Sequence, residues 1–299
     1  MGILKTITEE YFGNIIREED FIDIHDLNVE IVSFTDNNGK KHKRGYKPKD
    51  KDTLEKLLKR MIKMRGDEGD FNDIDTSDIK DMESLFQFNE TFNGDITGWS
   101  VSKVTDMSYM FHYAESFNQP IGNWVVSSVI DTNNMFSYAT SFNQNISKWK
   151  FLKVIDMYGM FSGATSFNQP IGNWEFPNVE NMSGMFSGAT SFNQDISKWK
   201  FPKVENMSNM FSYAKSFNQP IGNWEFPNVE KMNSMFYGAK SFNQPIGNWK
   251  FPNVTDMRNM FSNATSFNQD LSKWDLKGKD KIEIFYGCPI KKEYKPKMK

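Results

Sequence analysis

Apolar residues return along this chain with a period of 25. Tryptophan marks it most sharply: Trp99, Trp124, Trp149, Trp174, Trp199, Trp224, Trp249 and Trp274 stand 25 residues apart without exception. Phenylalanine fills two further columns, one running from Phe92 through Phe117 to Phe267 and the other from Phe86 through Phe111 to Phe261. A fourth column runs from Ile96 to Leu271, and methionine and alanine recur likewise, as Met107, Met110 and Ala114 do in one unit. Adjacent units 161–185 and 186–210 share 19 of their 25 residues. A fixed period of this length marks a solenoid, propeller or array. Half-units extend it: Phe71, Ile74 and Ile79 precede Ile96, Trp99 and Val104 by 25, and Ile282, Phe285 and Tyr286 follow Met257, Met260 and Phe261. Residues 71–290 are therefore the repeat region, with atypical end units because one side of each meets water.

Within a unit, Val104, Met107, Met110, Phe111 and Ala114 fall at three- and four-residue steps, the spacing of one helix face. Thr105 and Asp106 can cap such a helix, and Pro120 and Gly122 end it. The expected unit is a short helix of about two turns, a turn, and a short strand near Trp-x-Phe. The expected fold is thus an α/β solenoid of about eight 25-residue units with a small α+β N-terminal cap. A purely helical solenoid is the alternative, because Phe117, Ile121 and Trp124 also keep helix spacing; the prolines at 120, 170, 220 and 245 count against it.

Stacked strands predict what flanks each tryptophan. The following column reads Lys150, Glu175, Lys200, Glu225, Lys250 and Asp275, so charge alternates from unit to unit. In-register stacking sets like charges side by side at a cost, and alternation turns that cost into a ladder of opposite charges. The preceding column reads Lys148, Asn173, Lys198, Asn223, Asn248 and Lys273. Both columns should point outward and form the candidate partner-binding face, while Phe151, Phe176, Phe201, Phe226 and Phe251 should point inward. The turn before Trp has two versions: Pro-Ile-Gly-Asn, as at 170–173, and Asp/Asn-Ile-Ser-Lys, as at 195–198.

Outside the repeats, strands at 29–34 and 41–46 flank Asn37-Asn38-Gly39, a hairpin signal suited to a type I′ turn. Residues 7–21 read as a helix, and together these form a module over 1–50. Over 51–70, Asp52 and Glu55 read as a cap for a helix whose apolar stripe is Leu54, Leu57, Leu58, Met61 and Ile62. That helix should cover the first end of the solenoid. Residues 291–299 form a basic tail.

Composition narrows the chemistry. The 299 residues carry 36 Lys+Arg and 38 Asp+Glu, a net charge of -2, which argues against nucleic acid held by bulk charge. Basic stretches at 37–65 and 277–299 read as a solvated helix face and a disordered tail, with anionic partners as the sharper reading. Cys288, the one cysteine, rules out an internal disulfide framework and a cysteine-cluster zinc site and reads as a packed cap residue. His25, His42 and His112 have no metal-ligand spacing, so no metal, cofactor or catalytic residue is expected. The 27 Phe, 18 Met and 8 Trp must build the core, and the tryptophans are expected inside it rather than as an exposed sugar-stacking ladder. The asparagines at 118, 143 and 168 should bond the backbone of adjacent turns, since a buried amide needs a partner. The tyrosines that vary between units, among them Tyr113, Tyr138 and Tyr213, are further binding candidates. No apolar run reaches the length of a transmembrane helix, and no export signal is read at the N-terminus.

Units such as Val179-Glu180-Asn181-Met182-Ser183-Gly184-Met185-Phe186, continuing through Phe192-Asn193-Gln194 to Trp199, resemble the BspA-like leucine-rich-repeat surface proteins. The nearest variety is their 25-residue Met-Phe/Phe-Asn-Gln/Trp repeat, as in mycoplasmas, lactobacilli and spirochaetes. The segment from Gly45 to Leu54 is similar to the lead-in of such proteins. The resemblance implies a right-handed solenoid, no catalytic residue, a place on the cell surface or outside the cell, and for some members adhesion to host matrix proteins or other cells. The absence of a visible export signal or anchor leaves a cytoplasmic location open. A protein partner is thus the expected ligand, with nucleic acid disfavoured and no membrane span.

Overall fold

The structure, a computed structural model, describes residues 24–297. The helix expected over 7–21 lies outside the described residues.

The hairpin forms as expected. Strand β1 (Val29–Thr35) pairs antiparallel with β2 (Lys41–Pro48), with an irregularity between Val32 and Phe34. Its loop differs from the predicted type I′ turn. Asp36 N donates to Lys40 O at 3.0 Å, Gly39 N donates to Asp36 O at 3.0 Å, and only Gly39 of the loop has a positive φ, +83°. This is a three-residue loop closed by a glycine bulge. Asp36 Oδ1 favours it by accepting from Asn38 N and Lys40 N.

Helix α1 (Lys51–Arg65) follows directly. Its cap is Asp50 rather than Asp52: Asp50 Oδ1 accepts from Thr53 N at 2.9 Å and from Thr53 Oγ1 at 2.6 Å. Asp52 lies in the first turn and pairs with Lys56 one turn on. Leu54, Leu57, Leu58 and Met61 are buried against the first repeat, as the apolar stripe requires, and Ile62 is partly buried beside them. The other edge of β2 joins the repeats, since Tyr46 N donates to Asp73 O and Asp75 N donates to Tyr46 O.

From Gly66 to Lys291 the described residues form neither helix nor extended strand, only turns and isolated parallel bridges one unit apart. The expected helix over 104–114, and its counterpart in every unit, is a chain of hydrogen-bonded turns. In the unit beginning at Met182, Met185 N donates to Met182 O, Ser187 N to Gly184 O, Ala189 N to Phe186 O, and Phe192 N to Ala189 O. Each turn closes over three residues, so its apolar corners fall three or four apart and mimic a helix face. The remaining donors point out of the turn. Met182, Gly184, Phe186 and Gly188 donate to the carbonyls of Asn206, Ser208, Met210 and Ser212 in the next unit. A continuous α-helix satisfies its donors within itself; here half of them tie consecutive units together. The expected strand near Trp-x-Phe is likewise absent, and Trp199 closes a turn by donating its N–H to Ile196 O.

The core is a stack of aromatic rings. Within one unit Phe186 and Phe192 lie face to face at 4.0 Å. Between units Phe186 stacks on Phe211 at 5.8 Å and Phe192 on Phe217 at 6.0 Å. All eight tryptophans are buried, as are the inward-facing residues from Phe151 to Phe251. Trp199 Nε1 donates to Ile171 O at 3.0 Å in the preceding unit, and the same bond recurs along the column. Trp124 Nε1 is the exception, without a partner among the described residues.

The Phe-Asn-Gln motif builds a second ladder. Asn193 N donates to Asn168 Oδ1 at 3.0 Å, and Gln194 Nε2 donates to Asn168 O and Oδ1, both at 2.9 Å. The pattern begins at Asn93 and ends where Lys291 N donates to Asn268 Oδ1. The asparagine column thus bonds the adjacent turn, as a half-buried amide must.

Candidate functional site

The expected binding face is built by the turn that ends on each tryptophan. Lys148, Asn173, Lys198, Asn223 and Asn248 occupy the position before the buried ring; Lys150, Glu175, Lys200, Glu225 and Lys250 occupy the one after it. All ten side chains are exposed. The buried tryptophan between the two columns fixes their spacing: in successive units Trp199 and Trp224 stack at 6.4 Å, and Trp224 and Trp249 at 6.5 Å. Among the described residues no ion pair joins Lys150, Glu175, Lys200, Glu225, Lys250 and Asp275, so the expected charge ladder is not closed. Exposed pairs gain about 0–1 kcal/mol against the entropy of holding two long side chains, and here they stay in solvent.

The two turn versions have separate causes. In the Asp/Asn-Ile-Ser version the acidic or amide oxygen accepts the serine N–H, as Asp195 Oδ1 does from Ser197 N at 2.9 Å and Asn145 Oδ1 from Ser147 N at 3.0 Å. In the Pro-Ile-Gly version the next unit's carbonyl crowds the glycine: a Cβ on Gly172 would overlap Asp195 O.

Beside these columns lies an acidic groove that the column reading passed over. It encloses about 670 Å³ and is lined by Glu180, Glu205, Glu230, Lys203, Asn228 and their neighbours. Its sequence signal was the 25-residue spacing of Glu180, Glu205 and Glu230. Asn228 Nδ2 donates to Pro202 O, and Lys203 Nζ donates to Asn178 Oδ1, so the amides and the lysine brace the wall.

The variable tyrosines gather on one side. Tyr113 and Tyr138 stack at 4.5 Å, Phe88 stacks on Tyr113 at 5.5 Å, and His112 meets Tyr113 edge-on. Tyr213 meets Tyr237 at 5.1 Å. Phe88, Tyr138 and Tyr213 are exposed. Their rings lean on one another in a stacked group, Phe88–Tyr113–Tyr138, and an edge-to-face pair, Tyr213–Tyr237.

The basic stretch 37–65 is solvated along α1, where Lys56, Lys59 and Lys63 are exposed, but its other side is paired with acids of the first unit. Lys47 pairs with Asp75 and Asp78, Lys51 with Asp81 and Glu83, Lys40 with Asp70, and Arg65 with Asp73. The hydrogen bonds of Lys103 and Lys47 hold the Asp78 carboxyl down at about 2. These contacts tie the hairpin and α1 to the acidic first unit. Part of the second basic stretch packs back on the last unit: Leu271 N donates to Tyr294 O, next to a 3-10 turn at Lys292–Tyr294. Cys288 Sγ donates to Phe267 O at 3.4 Å, and burial pushes its thiol up, in keeping with a packed cap residue.

One more column runs along the bridges. Asp106, Asp131 and Asp156 stand in successive units, each accepting the N–H two residues on. Burial, with the charges of Asp106 and Asp156 added, raises the Asp131 carboxyl above its ordinary value. Farther along, the column changes to Asn181 and Asn206.

Among the described residues no group of His, Cys, Asp and Glu could hold a metal ion, and no helix is long and apolar enough to cross a membrane. No curated protein and no solved structure matches the sequence. Residues 54–171, 121–214, 146–239 and 198–293 each match one family, described as Mycoplasma protein of unknown function, DUF285. The overlapping matches run from α1 to the last unit, and the chain belongs to this mycoplasma repeat family.

Proposed function

We propose that the chain is a non-enzymatic scaffold that binds a protein partner, displayed at the cell surface in the manner of the BspA-like leucine-rich-repeat adhesins. On this reading the stacked units form a right-handed solenoid, and binding is spread along the columns that run through Lys148 and Lys150. The observation that carries it is that two exposed columns flank a buried tryptophan in unit after unit, giving a polar strip whose side chains are free of one another. Such a strip offers many weak contacts at fixed spacing, the way repeat proteins bind.

The test is a triple variant, Lys150→Glu, Lys200→Glu and Lys250→Glu, set against immobilised extracellular-matrix proteins with albumin as control. Binding of the parent to a matrix protein and its loss in the variant, at an unchanged melting temperature, support the proposal. Equal binding by both shows that this strip is the wrong surface. Protease treatment of intact cells tests display: the chain should be cleaved, and full protection contradicts a surface role.

A second reading draws on the 19 shared residues of units 161–185 and 186–210. Near-identical neighbours allow unit number to change by recombination, which suits a structural or antigenically variable protein with no dedicated ligand. Copy-number differences among isolates, with no matrix binding, favour it.

A further inference from the structure

We propose that the last unit carries an open docking edge for an acidic peptide that takes up the turned backbone of a repeat unit, separate from the tryptophan-flanking strip. In eight consecutive units, four alternate N–H groups donate to carbonyls of the next; the last to do so are Met257, Asn259, Phe261 and Asn263, which donate to Asp280, Ile282, Ile284 and Tyr286. The last unit is one residue short, so that Asp256 bridges Asp280 and Phe261 stacks on Phe285 rather than aligning with Tyr286; the equivalent donors one unit on are therefore Lys281, Glu283, Phe285 and Gly287. Glu283 and Gly287 keep the positive φ of this row, +53° and +65°. Among the described residues nothing accepts from these four N–H groups. Ile282 and Tyr286 alternate with them and are 64% and 65% exposed, the most exposed large apolar side chains of the chain's described residues.

The chemistry of the occupant follows from this edge. Its internal counterpart, eight times over, is a polypeptide whose carbonyls at every second residue accept the four bonds, so a peptide backbone fits the row. The edge offers donors only, and residues 277–297 carry seven lysines against Asp280, Glu283 and Glu293. Partial and full positive charge together select an acidic segment. A second copy is a poorer fit. The carbonyls that would complement the row, at Asp81, Glu83, Leu85 and Gln87, lie where Lys51 anchors the start of α1.

The probe is a terminally blocked peptide of Val and Glu with Gly at positions four apart, as the left-handed residues of each accepting segment stand, added to the full chain and followed by amide hydrogen exchange. Lys281, Glu283, Phe285 and Gly287 should exchange freely alone and slow by about tenfold or more with the peptide bound. The double variant Ile282→Glu, Tyr286→Glu should weaken binding about tenfold while melting as the parent does; Phe88→Glu, at the opposite end, should leave binding unchanged. The proposal is overturned if the four amides are already protected without peptide, if the peptide does not protect them, or if a Val–Lys peptide or a single-stranded oligonucleotide protects them equally. Protection that grows with protein concentration alone assigns the edge to self-association instead and equally overturns it.

Discussion

Asn168 shows how one residue works in this protein. Its side-chain oxygen takes the N–H of Asn193 and the amide of Gln194, and its own N–H is taken by Asn143 Oδ1. Asn168→Ala strands two donors of the next unit in a half-buried place. It should cost about 1–3 kcal/mol, read as a lower midpoint in urea unfolding. The purpose of this column was legible in the sequence, because a periodic amide among core residues needs a periodic acceptor or donor. Asp131 was not legible in the same way. Its raised carboxyl depends on burial and on Asp106 and Asp156 stacked above and below, a closeness that appears only once the units are in place. A carboxyl raised on folding contributes stability below its unfolded value and loses it as pH climbs through the folded one. Asp131→Asn, which copies Asn181, should therefore raise the melting temperature at neutral pH by roughly 1–4 °C. The gain should shrink on acidification toward the carboxylate range; a gain that is the same at both pH values points to another cause.

At the scale of elements the pattern was half transparent. The hairpin and α1 stand where their signals place them, because an Asn-Gly loop between short apolar strands and an apolar stripe with an acidic cap are local physics. The repeat units misled, and the reason is geometric. Met107, Met110, Phe111 and Ala114 occupy the corners of turns that close at three residues, which reproduces helix spacing without a helix. The contrary signal lay in two other columns. Positions 84, 109, 134, 159, 184 and 209 read Ser, Tyr, Asn, Gly, Gly, Asn, and positions four residues later include Gly163, Gly188 and Gly238. Glycine and asparagine recurring four apart mark left-handed backbone, which interrupts a helix at each turn. Gly184 tests this cleanly: its φ is +65°, and a Cβ there would touch nothing closer than 4.0 Å. Gly184→Ala should cost about 1–2 kcal/mol from backbone conformation alone, and Gly184→Asn, as nature has at Asn209, should cost less. Equal stability of all three proteins would mean that the left-handed turn is not part of the fold in solution.

Over the whole molecule, the parts are held together by different forces. Between units the ties are backbone bonds, stacked rings and the asparagine ladder, all uncharged, so apart from the Asp106–Asp131–Asp156 column the middle of the stack should respond little to salt and pH. The N-terminal end adds ties of charge to the backbone bonds at Tyr46 and the buried face of α1. Asp78, held at about 2, bridges Lys47 of β2 and Lys103 of the following unit. A depressed carboxyl contributes stability above its unfolded value of about 4 and loses it as pH falls through the folded one. Acidification from about pH 4 toward pH 2 should accordingly loosen the hairpin before the repeats, seen as faster amide exchange in β2 while the core of units 157–261 stays protected. Simultaneous loss would contradict a separate electrostatic tie. The sequence carried both charge runs, 37–65 and the acids from Asp67 to Glu83, but not their meeting, which needs the hairpin folded back on the first unit. It also carried the two exposed columns beside tryptophan, since alternation about a buried ring is a local property; the acidic groove and the open edge at Lys281–Gly287 exist only in the assembled stack.

The claim on which the rest depends is that each 25-residue unit is an interchangeable layer bonded only to its neighbours. Excision of residues 186–210 tests it, because the cut sets Met185 before Phe211 in the place of Met210 and leaves every column in register. The shortened chain should keep cooperative melting and its near-ultraviolet aromatic signal, with its long dimension by small-angle scattering reduced by about 5 Å, one layer. Excision of one residue more should unfold the stack by breaking register. A shortened chain that loses cooperative melting, or keeps the parent's length, would contradict the layered account.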